Sequence, residues 1–150
     1  MDSRKTRIEV ERNEFNEWKS SISCYGDPKK GDEEWIVTMD GPKDSPYMGG
    51  KFKISIKFPS GYPKKVPIVK FQTPIYHLNI NSEGTICLSS LTYKYNENIS
   101  IIDILTQIFM MLTSPNIDSP LVGFDIIKEY NEDYSGYLAK AREMTREHAK

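Results

Sequence analysis

Residues 51–58 alternate between polar and apolar side chains without a break, in the order Lys-Phe-Lys-Ile-Ser-Ile-Lys-Phe. A β-strand with one buried face has this period of two, so the stretch predicts a strand. Residues 35–39 and 66–71 have the composition of further strands, and no helical pattern separates the three. Because strands that follow one another directly form antiparallel meanders, we expect an antiparallel sheet in this part of the chain.

Helical patterns flank the strands on both sides. Apolar residues at helical spacing predict an amphipathic helix over roughly residues 3–20. Its apolar residues are Met1, Ile8, Phe15, Trp18 and Ile22, and its opposite face carries Arg4, Arg7, Glu11 and Glu14. Ser100 and Asp103 have the spacing of a capping box, which predicts a largely buried helix over about residues 101–112. Ser119-Pro120 is typical of a helix start, so two closing helices are predicted at about 120–130 and 131–148.

The segment from Pro74 to Asn98 shows no sustained period. It holds several isoleucine and leucine residues, which makes it too apolar for a disordered segment. Irregular segments of this length in a compact domain are usually functional, so we expect a functional loop here.

The bulk properties exclude several classes of protein. A chain of 150 residues with a net charge of −1 predicts one domain over residues 1–150 and disfavours a nucleic-acid binder. No apolar run is long enough to span a membrane, and no secretory signal is evident. Two cysteines do not make a disulfide framework, so the cytosol or the nucleus is the expected compartment.

The two cysteines and two histidines lack the spacing of a structural zinc site, and no Walker-type phosphate loop is present. We therefore expect no metal and no cofactor. Cys24 is expected to be inert. Cys87 lies in the run Gly84-Thr85-Ile86-Cys87-Leu88, ten residues after His77. From these residues alone, inert burial, a cysteine–histidine hydrolase and another thiol chemistry all stay open.

A set of short motifs bears on this choice. They are Trp35, Gly41-Pro42, Asp44-Ser45-Pro46-Tyr47, Gly49-Gly50, Phe58-Pro59, Tyr62-Pro63, Pro67, Tyr76-His77-Leu78-Asn79-Ile80, Gly84-Thr85-Ile86-Cys87-Leu88, Pro115-Asn116 and Asp118-Ser119-Pro120-Leu121. In this order the chain resembles the ubiquitin-conjugating enzymes over essentially its whole length. The resemblance implies an α+β fold: an N-terminal helix, a four-stranded antiparallel meander, an irregular active-site flap and three further helices.

The resemblance also implies that Cys87 accepts ubiquitin, or a ubiquitin-like modifier, from an activating enzyme as a thioester. The modifier then passes to a substrate lysine or a ligase cysteine. An ordinary thiol with a pKa of about 8.5 is ionised enough at pH 7 for this exchange, and one thioester replaces another without a nucleotide. The implied partners are the modifier, the activating enzyme, a ubiquitin ligase of unknown class and protein substrates. The chain is expected to act as a monomer without nucleic acid or membrane. The alternative is a non-catalytic scaffold of the same fold, against which Cys87 argues.

Site roles are carried over position by position. Asn79 is implied either as an oxyanion donor or as an organiser of the flap. His77 is implied as a structural residue, and Ser119 as a residue that gates the incoming amine. The local sequence also allows Ser119 to cap a helix, and the two roles are compatible. The remaining assignments are Tyr76, Ser89 and Leu121 for the substrate groove; Asp103, Thr106, Gln107 and Met110 for modifier docking; and Arg4, Arg7, Lys64, Tyr95, Glu97 and Asn98 for the ligase and activating-enzyme surface.

Three departures from the family pattern stand out. Leu78 replaces a usual proline, which removes a rigid element from the flap. Lys64 replaces a large, often aromatic side chain, and the run 95–98 replaces a tryptophan-serine-proline run. Interfaces concentrate binding energy in aromatic anchors, so we expect the ligase surface to be unusual.

Overall fold

The computed structural model describes residues 3–150 and begins with helix α1, Ser3–Trp18, followed by a 3₁₀ turn, Lys19–Ile22. Ile8, Phe15 and Ile22 are buried as predicted, whereas Met1 lies outside the described residues. Trp18 was expected on the apolar face, but 52% of its surface is exposed. The helix ends at Trp18, so this side chain lies at the margin of the buried face.

The four strands are β1 (Cys24–Tyr25), β2 (Glu34–Asp40), β3 (Lys51–Lys57) and β4 (Ile68–Phe71). They form one antiparallel sheet in chain order, which confirms the meander. The alternation in β3 is correct, because Phe52, Ile54 and Ile56 are fully buried. The sequence predicts no strand in residues 23–34, yet this segment contains β1. That strand is too short to show a period, since only Cys24 and Tyr25 pair with β2.

Helix α2, Ile101–Thr113, begins with the predicted capping box. The Asp103 N–H donates to Ser100 Oγ at 3.1 Å, and the Ser100 N–H donates to Asp103 Oδ2 at 3.4 Å. The helix is largely buried, as predicted, and its inward face comprises Ile101, Ile104, Leu105, Ile108 and Leu112.

Glu11 was placed on the polar face of α1, but it is buried between α1 and α2. Its carboxylate accepts the Ile101 N–H at 2.5 Å, and the Arg7 guanidinium lies 3.5 Å away. These contacts satisfy a free N–H at the start of α2 and compensate the burial of the charge. Burial nevertheless raises the pKa of Glu11.

The last two helices are α3, Phe124–Glu132, and α4, Tyr134–His148. The predicted helix start at Ser119-Pro120 is wrong, because Gly123 is the residue that precedes α3. The backbone before it is engaged elsewhere: the Leu121 N–H donates to the Leu78 carbonyl at 2.8 Å. Of the tyrosines in α4, Tyr137 is buried, whereas Tyr134 is half exposed.

Buried residues from α1, the four strands, α2, α4 and the irregular segment 74–98, which we call the flap, form one apolar core. Trp35 lies near its centre, with the rings of Phe15 and Phe58 at centroid distances of 5.8 and 5.1 Å. Among residues 3–150, no helix combines the length and apolarity needed to cross a membrane.

Candidate active site

A tight turn at residues 81–84 directs the chain toward Cys87. The Asn81 Oδ1 atom accepts the N–H groups of Glu83 and Thr85, both at 3.0 Å. Gly84 follows with φ of +82°, and a Cβ at that position would lie 2.0 Å from the Phe71 carbonyl oxygen. Only glycine fits this turn without displacement of β4. The Cys87 N–H then donates to the Asn79 carbonyl at 2.8 Å, which sets the register of the thiol beside Asn79.

Cys87 is partly exposed and lines an open groove of about 720 Å³. One wall comes from residues 87–94, a second from the outer face of α2, and a third from residues 113–119. Cys24 contrasts with it, since the Cys24 side chain is buried under the sheet edge and burial raises its pKa to about 12. Of the two thiols, only Cys87 faces a space that a macromolecular chain can enter.

Asn79 is fully buried, and both N–H groups of its carboxamide are hydrogen-bonded. Nδ2 donates to the Asn116 carbonyl at 2.9 Å and to the Ser119 carbonyl at 3.0 Å, and Oδ1 accepts the Asn116 N–H at 2.9 Å. Both amide hydrogens are therefore used to hold the wall at residues 116–119 against the flap. An oxyanion donor role would require one of these bonds to break.

His77 is buried and uses both ring nitrogens. Nδ1 accepts the Asn79 N–H at 2.9 Å, so Nε2 carries the proton that bonds the Met111 carbonyl at 2.8 Å. Burial lowers the pKa of His77 to about 4. A neutral imidazole with both nitrogens engaged has no lone pair for a thiol proton, which argues against the cysteine–histidine hydrolase.

The predicted groove residues separate into two groups. Ser119 and Ser89 line the groove with Cys87. Tyr76 and Leu121 do not line it: the Tyr76 hydroxyl donates to Glu129 at 2.7 Å, and the Leu121 N–H donates to the Leu78 carbonyl of the flap. Ser119 is exposed and caps no helix, so the capping role expected for it is wrong.

The stripe predicted for modifier docking lies along the outer face of α2. Gln107 and Met110 line the groove, and Met110 is 64% exposed. Gln107 is held by the Ser90 hydroxyl, which donates to Oε1 at 2.9 Å. Asp103 is exposed at the capping box, and the Thr106 hydroxyl donates to the Ile102 carbonyl at 2.7 Å. Docking of a modifier on this stripe stays a prediction.

A hydrogen bond joins the two loops predicted for the ligase surface, which carry Lys64 and Tyr95. The Tyr95 hydroxyl donates to the Pro63 carbonyl at 2.5 Å, next to the exposed Lys64. Glu97 and Asn98 are exposed on the same loop as Tyr95.

Arg4 and Arg7 bind the chain itself. Arg4 donates to the Phe58 and Pro59 carbonyls at 2.7 and 3.0 Å, and Arg7 donates to the Ile99 carbonyl at 3.2 Å. They fix α1 against the two loops, and partner recognition by their remaining exposed atoms stays a prediction.

Sequence reasoning missed several residues that line the groove, and Asn116 and Lys94 are two of them. Asn116 holds Asn79 through its backbone and lines the groove, and Pro115-Asn116 was the only signal for it. Lys94 lines the groove from a loop without periodicity, so no pattern could place it. Residues 3–150 contain no cluster of His, Cys, Asp and Glu that could hold a metal ion.

Comparison with known proteins matches the chain to a family model and to relatives among curated proteins. A family model described as "Ubiquitin-conjugating enzyme" matches residues 7–145. A curated protein of Arabidopsis thaliana, named "Probable ubiquitin-conjugating enzyme E2 31", is 40% identical over 131 residues, which cover 87% of this chain and 84% of that protein.

Proposed function

This chain belongs to the ubiquitin-conjugating enzyme family, and we propose that Cys87 is the residue on which it carries its modifier. The chain is thus a transferase that forms a thioester, rather than a scaffold. The observation that supports Cys87 is its partial exposure in the groove, in contrast to the sealed thiol of Cys24.

Charging of Cys87 exchanges one thioester for another. The Cys87 thiolate attacks the carbonyl carbon of the modifier bound to the activating enzyme, and the tetrahedral intermediate expels that enzyme's thiolate. The Cys87 proton passes to solvent or to the departing sulfur. Because the bond formed and the bond broken are of the same kind, the step needs no energy source in this protein.

Transfer to a substrate requires a neutral amine at the thioester carbon. Free lysine has a pKa of about 10.4, so the groove must desolvate the ammonium or accept its proton. Attack by the amine forms the amide bond, and Cys87 leaves as a thiolate. Ser119 lines the groove and is proposed to contact the incoming amine. A hydroxyl is a weaker proton acceptor than a carboxylate, so we infer slow transfer to free amines.

Asn79 is proposed to organise the acceptor side of the groove. Its three bonds to residues 116 and 119 support this role over that of an oxyanion donor. His77 is proposed to hold Asn79 in turn, since the Asn79 N–H donates to its Nδ1.

Partners of the ubiquitin pathway follow from the family: ubiquitin, an activating enzyme, ligases and protein substrates. We propose that the modifier docks on the outer face of α2, where Gln107 and Met110 adjoin the groove. We propose the adjoining loops of Lys64 and Tyr95, with the outer atoms of α1, as the surface for the activating enzyme and ligases. A free thiol at Cys87 is needed for charging, so the proposed compartment is the cytosol or the nucleus.

A charging assay tests the proposed function. With activating enzyme, ATP and ubiquitin, the parent protein should give an adduct of one ubiquitin that is lost on addition of excess thiol. Cys87→Ala should abolish the adduct, and the matched variant Cys24→Ala should retain it. An adduct that persists in Cys87→Ala and disappears in Cys24→Ala would overturn the assignment.

A further inference from the structure

Both backbone polar groups of Leu78 are hydrogen-bonded to other parts of the chain. Its N–H donates to the Tyr137 hydroxyl oxygen at 3.1 Å, and its carbonyl accepts the Leu121 N–H at 2.8 Å. Its side chain is buried. Leu78 lies between His77 and Asn79. A shift of its backbone therefore moves Asn79, which holds the wall at residues 116–119 and whose carbonyl accepts the Cys87 N–H.

Tyr137 is suited to hold a backbone group in place. The side chain is only 1% exposed, and its ring contacts those of Tyr76 and Tyr130 at centroid distances of 5.4 and 4.9 Å. Burial raises the pKa of Tyr137, so the hydroxyl is protonated and neutral near pH 7. The ring contacts fix the position of the hydroxyl, and the hydrogen bond to the Leu78 N–H therefore restrains the backbone of the flap.

The backbone torsion of Leu78 has no covalent restraint of its own, since leucine leaves φ free within the allowed regions. In this chain the hydrogen bond supplies the restraint. We propose that Tyr137 is a positioning residue of the transfer reaction: its hydroxyl fixes the Leu78 N–H and thereby the alignment of Asn79 and Cys87. This proposal rests on the proposed role of Cys87.

The hydrogen bond between Leu78 and Tyr137 can be removed by a substitution at either residue. Proline at position 78 removes the N–H and puts a ring carbon where the hydrogen was, against the Tyr137 oxygen. The residue before a proline prefers extended backbone, and His77 forms a β-bridge with Ile80, so the backbone on the N-terminal side of position 78 is compatible with proline. Tyr137→Phe removes that oxygen and keeps the ring.

The test is a double-mutant cycle of Tyr137→Phe and Leu78→Pro, with Tyr130→Phe as the matched loss of a hydroxyl from the same ring cluster. Each variant is charged with ubiquitin, and discharge to free lysine is followed in a single turnover below its Tm. We expect Tyr137→Phe to slow discharge roughly fivefold, the equivalent of one hydrogen bond, and Leu78→Pro to slow it more. The double variant should discharge faster than Leu78→Pro alone. Tyr130→Phe should match the parent.

Hydrogen exchange of the Leu78 amide gives a second readout, and it should accelerate in Tyr137→Phe but not in Tyr130→Phe. The proposal is overturned if the effects of Tyr137→Phe and Leu78→Pro on the logarithm of the discharge rate are additive in the double variant. It is also overturned if Leu78→Pro discharges like the parent. The latter comparison still decides the matter if Tyr137→Phe does not fold. Failure of the parent to form any adduct on Cys87 would instead refute the proposed function.

Discussion

The carboxamide of Asn79 bonds the Ser119 carbonyl at 3.0 Å, and it brackets the Asn116 peptide groups with two further bonds. One buried side chain thus joins the flap that carries Cys87 to the opposite wall of the groove. These three bonds, together with the bond from the Leu121 N–H to the Leu78 carbonyl, set the separation of the two walls.

We expect Asn79→Ala to slow transfer to free lysine about tenfold or more, while charging changes little, because only transfer uses the wall at residues 116–119. Asn79→Asp should be worse, since it sets a carboxylate oxygen against two carbonyl oxygens. Single-turnover charging and discharge rates measure the first effect, and amide exchange at Asn116 and Leu121 reports the loosened wall. Equal losses in charging and discharge would instead indicate a folding role, and unchanged exchange would favour the oxyanion donor.

Stability should decrease below neutral pH because of His77. Its pKa is about 4 in the folded protein and about 6.5 in an unfolded chain, so the unfolded state binds more protons between these values. Stability is therefore complete above pH 6.5 and falls as the pH drops toward 4. The expected loss from this residue between pH 7 and pH 5 is about 2 kcal/mol.

Urea unfolding at the two pH values measures this loss. The difference should shrink in His77→Gln and persist in His148→Gln, which removes an exposed histidine. A pH dependence that is identical in His77→Gln and the parent would contradict the assignment.

Gly84→Ala should destabilise the fold by roughly 3 kcal/mol or more, because strain at positive φ adds to a contact with the Phe71 carbonyl. Gly31 is the matched control: its φ is +89°, and a Cβ there would meet nothing within 4 Å. Gly31→Ala should therefore cost only about 1 kcal/mol. Urea midpoints give both values, and equal costs at the two positions would show that the contact at Phe71 is relieved.

Lys64→Phe should increase discharge stimulated by ligases that use a large apolar anchor. An aromatic hot spot contributes about 2 kcal/mol, so a gain in affinity of roughly thirtyfold is expected, with discharge in the absence of ligase unchanged. Lys65→Phe places the same ring on the neighbouring exposed position and should have a smaller effect. If neither substitution improves ligase binding, the lack of a large apolar side chain at position 64 does not limit the response to these ligases.

The sequence predicted those elements whose side chains repeat with a period. The alternation in β3 and the capping box of Ser100 and Asp103 are correct because burial and capping act locally. Strand β1 escaped prediction because Cys24 and Tyr25 pair with a distant segment and form no repeat of their own. The motif resemblance supplied the fourth strand that the pattern lacked.

The failures have tertiary causes. Ser119-Pro120 has the local chemistry of a helix start, but bonds from Asn79 and Leu78 hold residues 116–121 in another conformation. Glu11 belongs to a polar face by spacing, yet the N-terminus of α2 binds it. The role of Asn79 depends on partners 37 and 40 residues away, which no local pattern encodes.

The difference between the two cysteines makes the natural chain suitable for single-site labelling. With a pKa of about 12, Cys24 is a thiolate in roughly one molecule in ten thousand at pH 8, and it is also shielded from reagents. A maleimide dye or spin label should therefore attach at position 87 without prior removal of the other cysteine. Such a probe would report on the width of the groove in solution.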